Sequence, residues 1–430
     1  MAIGHHLDLD LVGEYQARTP GSREYYQQAC CYLPGGETRA VTQYEPYPVV
    51  LAEGHGALVN DVDGNEYVDV LNNYTALVHG HAFGPVVEAV QAALPAGTAF
   101  PAPHPAQLRL ARMLTERYPA VDRVRFTNSG TEAALLALRI VRAATGRRRV
   151  VLFTGGYHGT VPEIIDGGPD TARVPYNDAG QAAAAIDSSV AAVFAEPFLG
   201  SGGVIPATGE FLRQVQDRAH EAGALFVLDE VQSLRNALHG AHAIHDLTPD
   251  LLMMGKIIGG GFPVGAVGGR ASLMDLTSAA RPGSLNCSGT FNGNVITMTA
   301  GAAALAALDG PAIAALNERA AALAAQVEAA ASRAAIPCSV TRAGSILHVH
   351  LLGSAPASAA AADAVPAAWM SALHLALLLE GIYTAPRGML GLSTALDEGL
   401  LARVADGYAR AFLRIRDLVA GSGLMTAGSR

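Results

Sequence analysis

Residues 123–156 read RVRFTNSGTEAALLALRIVRAATGRRRVVLFTGG, and this stretch is the most informative about the fold. The apolar runs at 123–130 and 147–156 have the length of buried strands, and residues 131–144 between them carry apolar residues at helical spacing. The same alternation continues with strand-like runs and one more helical pattern, at 190–197, 208–222 and 224–230. Apolar strands that alternate with helices predict a mainly parallel sheet covered on both faces, so we expect an α/β fold.

The pattern changes toward both ends of the chain. GALVNDVDGNEYVDV, residues 56–70, alternates polar and apolar residues around Asp63-Gly64, which is typical of a β-hairpin. The C-terminal part is predicted as an alanine-rich helical stretch, a strand and two helices, at 293–334, 345–352, 366–380 and 397–420. We therefore expect residues 76–300 to form a large domain, and residues 1–75 and 301–430 to form a smaller α+β domain.

Segment 353–366, GSAPASAAAADAVP, is rich in alanine, serine and proline, and its composition predicts a flexible surface insertion.

Composition and charge exclude several classes of protein. The chain has 430 residues, of which 50% are hydrophobic, so it can bury a large core. Its 29 basic residues are outnumbered by 38 acidic ones, which argues against a nucleic-acid partner. The sequence has no long apolar run and no secretory leader, so we expect a cytoplasmic protein without a membrane anchor. Its four cysteines lack metal-ligand spacing, and no metal site is predicted.

Lys256 is the only lysine, and the other 28 basic residues are arginines. Arginine cannot replace a lysine that must lose its proton and attack a carbonyl, because the guanidinium stays protonated. Lys256 is therefore either required for a reaction of this kind or has survived by chance. On the count alone these two explanations are about equally good.

Three segments place reactive groups after predicted strands, where ligands bind in such sheets. Residues 127–132, TNSGTE, open a helix and suit a phosphate, although an ordinary helix cap has the same composition. Asp229 ends an apolar strand and could hold a proton on a ring nitrogen, or could be a solvated acid. Lys256 lies between an apolar run and a glycine cluster, and apolar surroundings favour the nucleophilic amine. A phosphate cradle, a carboxylate and a Schiff-base lysine together suit pyridoxal phosphate (PLP).

The chain resembles the class III, fold-type I, PLP-dependent aminotransferases. The resemblance rests on NSGTEA (128–133), GGYHG (155–159), EP (196–197), DEVQ (229–232) and GKIIGGG (255–261). Within the class it is similar to the glutamate-1-semialdehyde aminomutase subgroup, and there to bacterial β-amino-acid aminotransferases of the β-phenylalanine type. The stretches that carry this finer likeness are PGGETR (34–39), NYTALVHGH (73–81), SGTFNGNVITM (288–298) and IYTAPRGM (382–389). The resemblance implies a seven-stranded, mainly parallel sheet between helices in the large domain.

The resemblance also implies the roles of the cofactor-binding residues. Lys256 would form the Schiff base with PLP and shuttle a proton, and Asp229 would keep the pyridine nitrogen protonated. Ser129, Gly130 and Thr131 would bind the phosphate. Tyr157 and Val231 would contact the two ring faces. Gln232 would lie near the ring hydroxyl, and Glu196 would be a supporting acid. Thr290 would reach the phosphate of the neighbouring subunit, so the resemblance implies a homodimer with shared active sites.

The substrate site is implied to contain two arginines. Arg39 and Arg387 match positions where β-amino-acid enzymes bind carboxylates, and a guanidinium holds a carboxylate through two parallel hydrogen bonds. One would bind the β-amino acid and the other the distal carboxylate of 2-oxoglutarate. Tyr74 precedes the first helix of the large domain and is a candidate contact for the substrate side chain.

The predicted activity is ping-pong transfer of an amino group from a β-amino acid to 2-oxoglutarate or pyruvate. The first alternative is intramolecular amino transfer of the glutamate-1-semialdehyde aminomutase type. Another PLP reaction, such as decarboxylation or racemisation, would use the same lysine and aspartate. A PLP-binding regulator without turnover is disfavoured, because the chain has no spare segment for a DNA-binding module.

Overall fold

The computed structural model describes residues 9–165 and 167–421 of the chain. Within these residues the helices, α1 to α16 in chain order, are Leu9–Arg18, Pro20–Ala29, Asn72–Thr75, Gly84–Ala93, Pro105–Arg117, Gly130–Thr145, Pro162–Ile165, Ala179–Ala185, Gly209–Glu221, Ala241–Ile244, Ala271–Met274, Val295–Ala307, Gly310–Arg333, Ala359–Ala362, Ala367–Leu379 and Glu398–Gly421. The strands, β1 to β16, are Leu51–His55, Leu58–Asp61, Glu66–Asp69, Arg123–Thr127, Arg149–Phe153, Thr171–Val174, Val190–Ala195, Phe198–Leu199, Ile205–Pro206, Leu225–Asp229, Leu251–Gly255, Gly265–Gly269, Ser339–Ala343, Ile346–His350, Ile382–Tyr383 and Met389–Gly391.

The chain divides into two compact units. The first unit contains the residues up to Phe83, then Glu318–Ala357 and the residues from Ala361 onward. The second unit contains Gly84–Asn317 and Ser358–Ala360.

The second unit is built on a seven-stranded sheet in the order β4-β12-β11-β10-β7-β5-β6. Strands β11, β10, β7, β5 and β6 are parallel to one another, whereas β12 is antiparallel to both of its neighbours. The prediction of a mainly parallel sheet in an α/β fold is therefore confirmed. All residues of β7 and β11 are buried, as expected for central strands covered on both faces.

Helix α6 covers one face of this sheet. Its residues Ala137, Leu138, Ile140 and Val141 are at most 1% exposed and belong to the same core cluster as residues of the central strands. Full burial of a leucine or isoleucine contributes about 1.5–3 kcal/mol. This packing fixes the N-terminus of α6 beside the ends of the strands.

Strand β12, GAVGG, is a part of the sheet that the sequence does not predict, because its glycines give no apolar pattern. A side chain at Gly265 would place its Cβ 1.9 Å from the backbone oxygen of Ser129. Glycine at this position therefore allows the loop before α6 to lie directly against β12.

The first unit contains two small sheets. Strands β1, β2 and β3 form an antiparallel meander, and β15 is added parallel to β3. The predicted hairpin around Asp63-Gly64 is therefore present as β2 and β3. Because β15 comes from the C-terminal part of the chain, one sheet joins segments from both ends. The second sheet has the antiparallel order β13-β14-β16.

The prediction that the alanine-rich stretch 293–334 is helical is confirmed, and the structure divides the stretch into two helices, α12 and α13. Helix α12 packs against α4 and α5, and this buries most of its surface. Segment 353–366 is more than a flexible insertion, because it contains α14, and Ala359 is 7% exposed where it lies against Gly155.

Among the described residues, no single helix combines the length and apolar composition needed to cross a membrane; α12 and α13 reach that threshold only when they are counted together.

Candidate active site

A cavity of about 200 Å³ lies in the second unit, around the carboxyl ends of β10 and β11. Its lining residues come from loops after several strands and from the start of α6: Gly130, Thr131, Tyr157, His158, Gly159, Glu196, Asp229, Val231, Gln232, Lys256 and Val264. This is where ligands bind in open α/β sheets. The structure therefore brings together eight of the residues predicted from the sequence.

The N-terminus of α6 forms one wall of the cavity. Ser129 is the N-cap residue, and its hydroxyl accepts a hydrogen bond of 3.1 Å from the backbone N–H of Glu132. The backbone N–H groups of the first helical turn have no acceptor within the helix, and together with the helix dipole they suit an anion. A Cβ at Gly159 would lie 2.6 Å from Thr131, so glycine permits this close approach. These features fit a phosphate group.

Asp229 ends β10 and is held by two hydrogen bonds. Its Oδ1 accepts a bond of 3.0 Å from the N–H of Val231, and its Oδ2 lies 2.9 Å from Nδ1 of His158. Both side chains are buried. Burial opposes protonation of His158, but the hydrogen bond and the charge of Asp229 outweigh it and raise the pKa of His158. The orientation of the carboxylate is thus fixed from one side.

Glu196 lies behind this pair, after β7. Its carboxylate accepts backbone hydrogen bonds from Tyr157 (3.0 Å) and Gly200 (3.2 Å). Burial raises the pKa of Glu196 to about 7, against the opposing charge of His158. Glu196 therefore fixes the backbone that carries the Tyr157 ring.

Lys256 follows β11 directly and adopts a left-handed backbone conformation with φ of 48°. Such a φ is uncommon for a residue other than glycine and occurs often at functional sites. The neighbouring side chains of Met254 and Ile258 are fully buried. The backbone therefore directs the only lysine of the chain from an apolar strand into the cavity.

Val231, Tyr157 and Gln232 also line the cavity. The two methyl groups of Val231 lie 3.2–3.6 Å from the positions that a Cβ would take at Gly130 and Gly255. Tyr157 leaves 47% of its surface exposed. The buried Oε1 of Gln232 has no hydrogen-bond partner among the described residues. A buried oxygen of this kind is expected to find a partner, so the site suits a ligand that carries a hydrogen-bond donor.

Thr290 does not line this cavity. It lies in an exposed turn before α12, next to a second cavity of about 410 Å³ to which Cys287, Ser288, Gly289 and Asn292 contribute. Its proposed contact with a neighbouring subunit stays a prediction.

Arg39, Tyr74 and Arg387 lie in the first unit and form a group of their own. The Arg39 guanidinium carbon is 5.3 Å from the centre of the Tyr74 ring. Burial raises the pKa of Tyr74, and the charges of Arg387 and Arg39 both act against this rise. None of the salt bridges in residues 9–165 and 167–421 involves either arginine. Neither guanidinium group thus has a carboxylate partner among the described residues, and a group of this kind can bind a carboxylate.

Three residues of the cavity were not predicted from the sequence: His158, Gly159 and Val264. His158 stands beside Tyr157 in GGYHG, but this adjacency does not reveal its contact with Asp229. Val264 follows the glycine cluster after Lys256 and carries no chemical signal of its own.

Comparison with known proteins assigns the family. The family model "Aminotransferase class-III" matches residues 40–166 and 169–393. The beta-phenylalanine transaminase of Variovorax paradoxus is 39% identical over 92% of this chain and 94% of its own length. The glutamate-1-semialdehyde 2,1-aminomutase of Heliobacterium modesticaldum is 36% identical over 85% of this chain and 89% of its own. A solved transaminase with PLP bound has 32% identity and a TM-score of 0.87, covering 94% of this chain and 99% of that one.

The cavity fits this cofactor, since it combines a helix N-terminus for a phosphate, a buried carboxylate, an unpartnered amide oxygen and one lysine. The chain belongs to the class III aminotransferase family, and its cofactor is pyridoxal phosphate.

Proposed function

We propose that the protein transfers the amino group of a β-amino acid of the β-phenylalanine type to 2-oxoglutarate or pyruvate. The observation that carries this proposal is a pair of guanidinium groups: Arg39 lies over the Tyr74 ring, and the charge of Arg387 acts on the same tyrosine. Neither arginine forms a salt bridge within the described residues. An aryl β-amino acid has one carboxylate and one ring, and 2-oxoglutarate has a second carboxylate. The similarity to a beta-phenylalanine transaminase supports the same substrate class.

When bound, PLP supplies a ring that accepts the electron pair released at the substrate carbon. The chain's own residues would do the rest. Lys256 would hold the cofactor covalently and later carry the proton to and from the substrate carbon. Asp229, oriented by His158, would hold a proton on the ring nitrogen.

Binding of the cofactor would be divided among the remaining residues of the site. Ser129, Gly130 and Thr131 would bind the phosphate at the N-terminus of α6. Tyr157 and Val231 would contact the two ring faces, and Gln232 would lie near the ring hydroxyl. Thr290 of a partner subunit would complete the phosphate site, in a cytoplasmic homodimer.

The second candidate is intramolecular amino transfer on glutamate-1-semialdehyde, which the similarity to aminomutases supports. The two activities differ in stoichiometry. Incubation with β-phenylalanine and 2-oxoglutarate is expected to give glutamate in an amount equal to the β-phenylalanine consumed. Conversion of glutamate-1-semialdehyde without any keto acid, together with no glutamate from β-phenylalanine, would replace the proposal by the aminomutase.

A further inference from the structure

The short helix α3, Asn72–Thr75 in the first unit, is a left-handed turn of four consecutive residues other than glycine. Their φ angles are 51°, 49°, 54° and 74°. Such a conformation is unfavourable for L-residues, least for asparagine and most for bulky or β-branched side chains. A run that includes Tyr74 and Thr75 persists only when its surroundings hold it in place.

The surroundings hold this left-handed turn at both ends. The Asp69 carboxylate accepts hydrogen bonds of 2.8 Å from the backbone N–H groups of Leu71 and Asn72. The Asn72 amide donates to the backbone oxygens of Asp69 (3.2 Å) and Gly391 (2.8 Å). A Cβ at Gly391 would lie 2.7 Å from the methyl group of Thr75, so only glycine leaves room for the turn. The turn is therefore a built feature of the unit.

The left-handed turn presents its two central side chains to the segment that carries Arg39. The Arg39 guanidinium donates a hydrogen bond of 2.6 Å to the amide oxygen of Asn73 and lies over the Tyr74 ring. The Tyr74 hydroxyl donates a bond of 2.7 Å to the backbone oxygen of Val41. The turn thus holds the segment around Arg39 by one side-chain bond, one backbone bond and one ring contact.

Neither of these contacts brings a carboxylate to Arg39, and no salt bridge within residues 9–165 and 167–421 involves it. An amide oxygen and an aromatic face orient a guanidinium without neutralising it. An aspartate at position 73 would orient it equally well but would pair with its charge. Asparagine at position 73 therefore orients the Arg39 guanidinium without pairing with its charge.

We propose that Asn73 is a positioning residue, which orients the Arg39 guanidinium from the left-handed turn and leaves its charge available to the carboxylate of the β-amino acid. This inference rests on the proposed function and deepens it. It makes Asn73 a determinant of the preference for carboxylate-bearing amines.

Two variants of Asn73 separate orientation from charge. Asn73→Gly removes the amide oxygen and keeps a residue that tolerates positive φ. Asn73→Asp keeps the acceptor and adds a competing charge. We expect KM for β-phenylalanine to rise about threefold in the glycine variant and about tenfold in the aspartate variant, with kcat within about twofold of the parent. For 1-phenylethylamine, which has no carboxylate, KM should stay unchanged.

Gln214→Glu is the matched control, because it adds the same charge at an exposed position of α9. It should change neither KM. Equal rises in KM for both amines in the Asn73 variants, or no rise for β-phenylalanine, would overturn the inference.

A binding measurement separates this inference from the proposed function. Calorimetry with 3-phenylpropanoate and the PLP-loaded enzyme measures carboxylate binding without turnover. If wild-type protein does not turn over β-phenylalanine but Asn73→Asp weakens binding of 3-phenylpropanoate several-fold, the proposed function fails and the positioning role stands. If both variants bind it as wild type does, the positioning role fails.

Discussion

At the scale of single residues, the cavity is lined by three buried ionisable side chains, Asp229, His158 and Glu196. Asp229 contacts His158 at 2.9 Å, and the charge of Glu196 adds to the charge of Asp229 in raising the pKa of His158. The hydrogen bond to Asp229 and its charge favour the protonated form of the imidazole. His158 thereby keeps the carboxylate in one orientation, which a ring nitrogen in the cavity requires.

Glu196 makes stability depend on pH. Its pKa rises from an ordinary 4.5 to about 7 in the folded protein because it is buried. The folded state therefore keeps a proton that the unfolded state has already released between these values. The resulting stabilisation is fully present below about pH 4.5 and is lost as the pH rises through about 7.

Replacing this carboxyl group by an amide should remove that dependence. We expect the free energy of unfolding of wild-type apoprotein, relative to Glu196→Gln, to fall by up to about 3 kcal/mol between pH 4.5 and pH 8. Chemical denaturation of both proteins at each pH measures the difference. A difference that stays constant across this range would contradict the raised pKa.

At the scale of secondary-structure elements, the N-terminus of α6 begins a helix and is proposed to bind the phosphate of the cofactor. Thr208 begins α9 in the same way, by accepting a hydrogen bond of 3.1 Å from the N–H of Phe211, but it does not line the cavity. The two helices are therefore a matched pair, of which only α6 lines the cavity.

Removing the cap residues of α6 and α9 should separate the effect on helix stability from the effect on cofactor binding. Ser129→Ala and Thr208→Ala should each lower the free energy of unfolding of the apoprotein by about 1 kcal/mol. Only Ser129→Ala should weaken PLP binding, which dialysis followed by measurement of retained cofactor detects. Equal retention of PLP by the two variants would contradict the assignment of the phosphate to α6.

The sequence predicts most elements that have a periodic pattern, and their boundaries agree within a few residues. It predicts helix 131–144, which the structure extends to Gly130–Thr145, and strand 224–230, which is Leu225–Asp229. It does not predict β12, in which Gly265 lies in close backbone contact with Ser129. Nor does it predict the left-handed turn, because the contact with Gly391 that holds it is 319 residues away in the chain.

The site was predictable to a similar degree. Lys256, Asp229 and the segment 127–132 follow from motifs whose chemistry is visible in the residue types. The places of Tyr157, Glu196, Val231 and Gln232 were predicted only from the resemblance to the class III aminotransferases. The role of His158 depends on a hydrogen bond to a residue 71 positions away, and adjacency to Tyr157 does not reveal it.

At the scale of the whole molecule, the proposed homodimer makes each chain contribute to two sites. Lys256→Ala disables the site on its own chain. Thr290→Glu would place a negative charge against the phosphate of the neighbouring site, and Thr290 is exposed, so the substitution should not disturb folding.

Mixed dimers of these two inactive variants should regain activity. One of the two sites in a mixed dimer would have an intact Lys256 from one chain and an intact Thr290 from the other. Refolding or co-expression of the two variants, followed by an amino-transfer assay, measures this recovery. A mixture that stays as inactive as its parents, although mixed dimers form, would contradict the shared site.

The most direct test of the central claim is the visible absorption spectrum of the PLP-loaded protein after addition of racemic β-phenylalanine without a keto acid. We expect the yellow absorbance to disappear as the amino group passes to the cofactor, and to return when 2-oxoglutarate is added. A protein fully loaded with PLP whose spectrum does not change with β-phenylalanine would contradict the account.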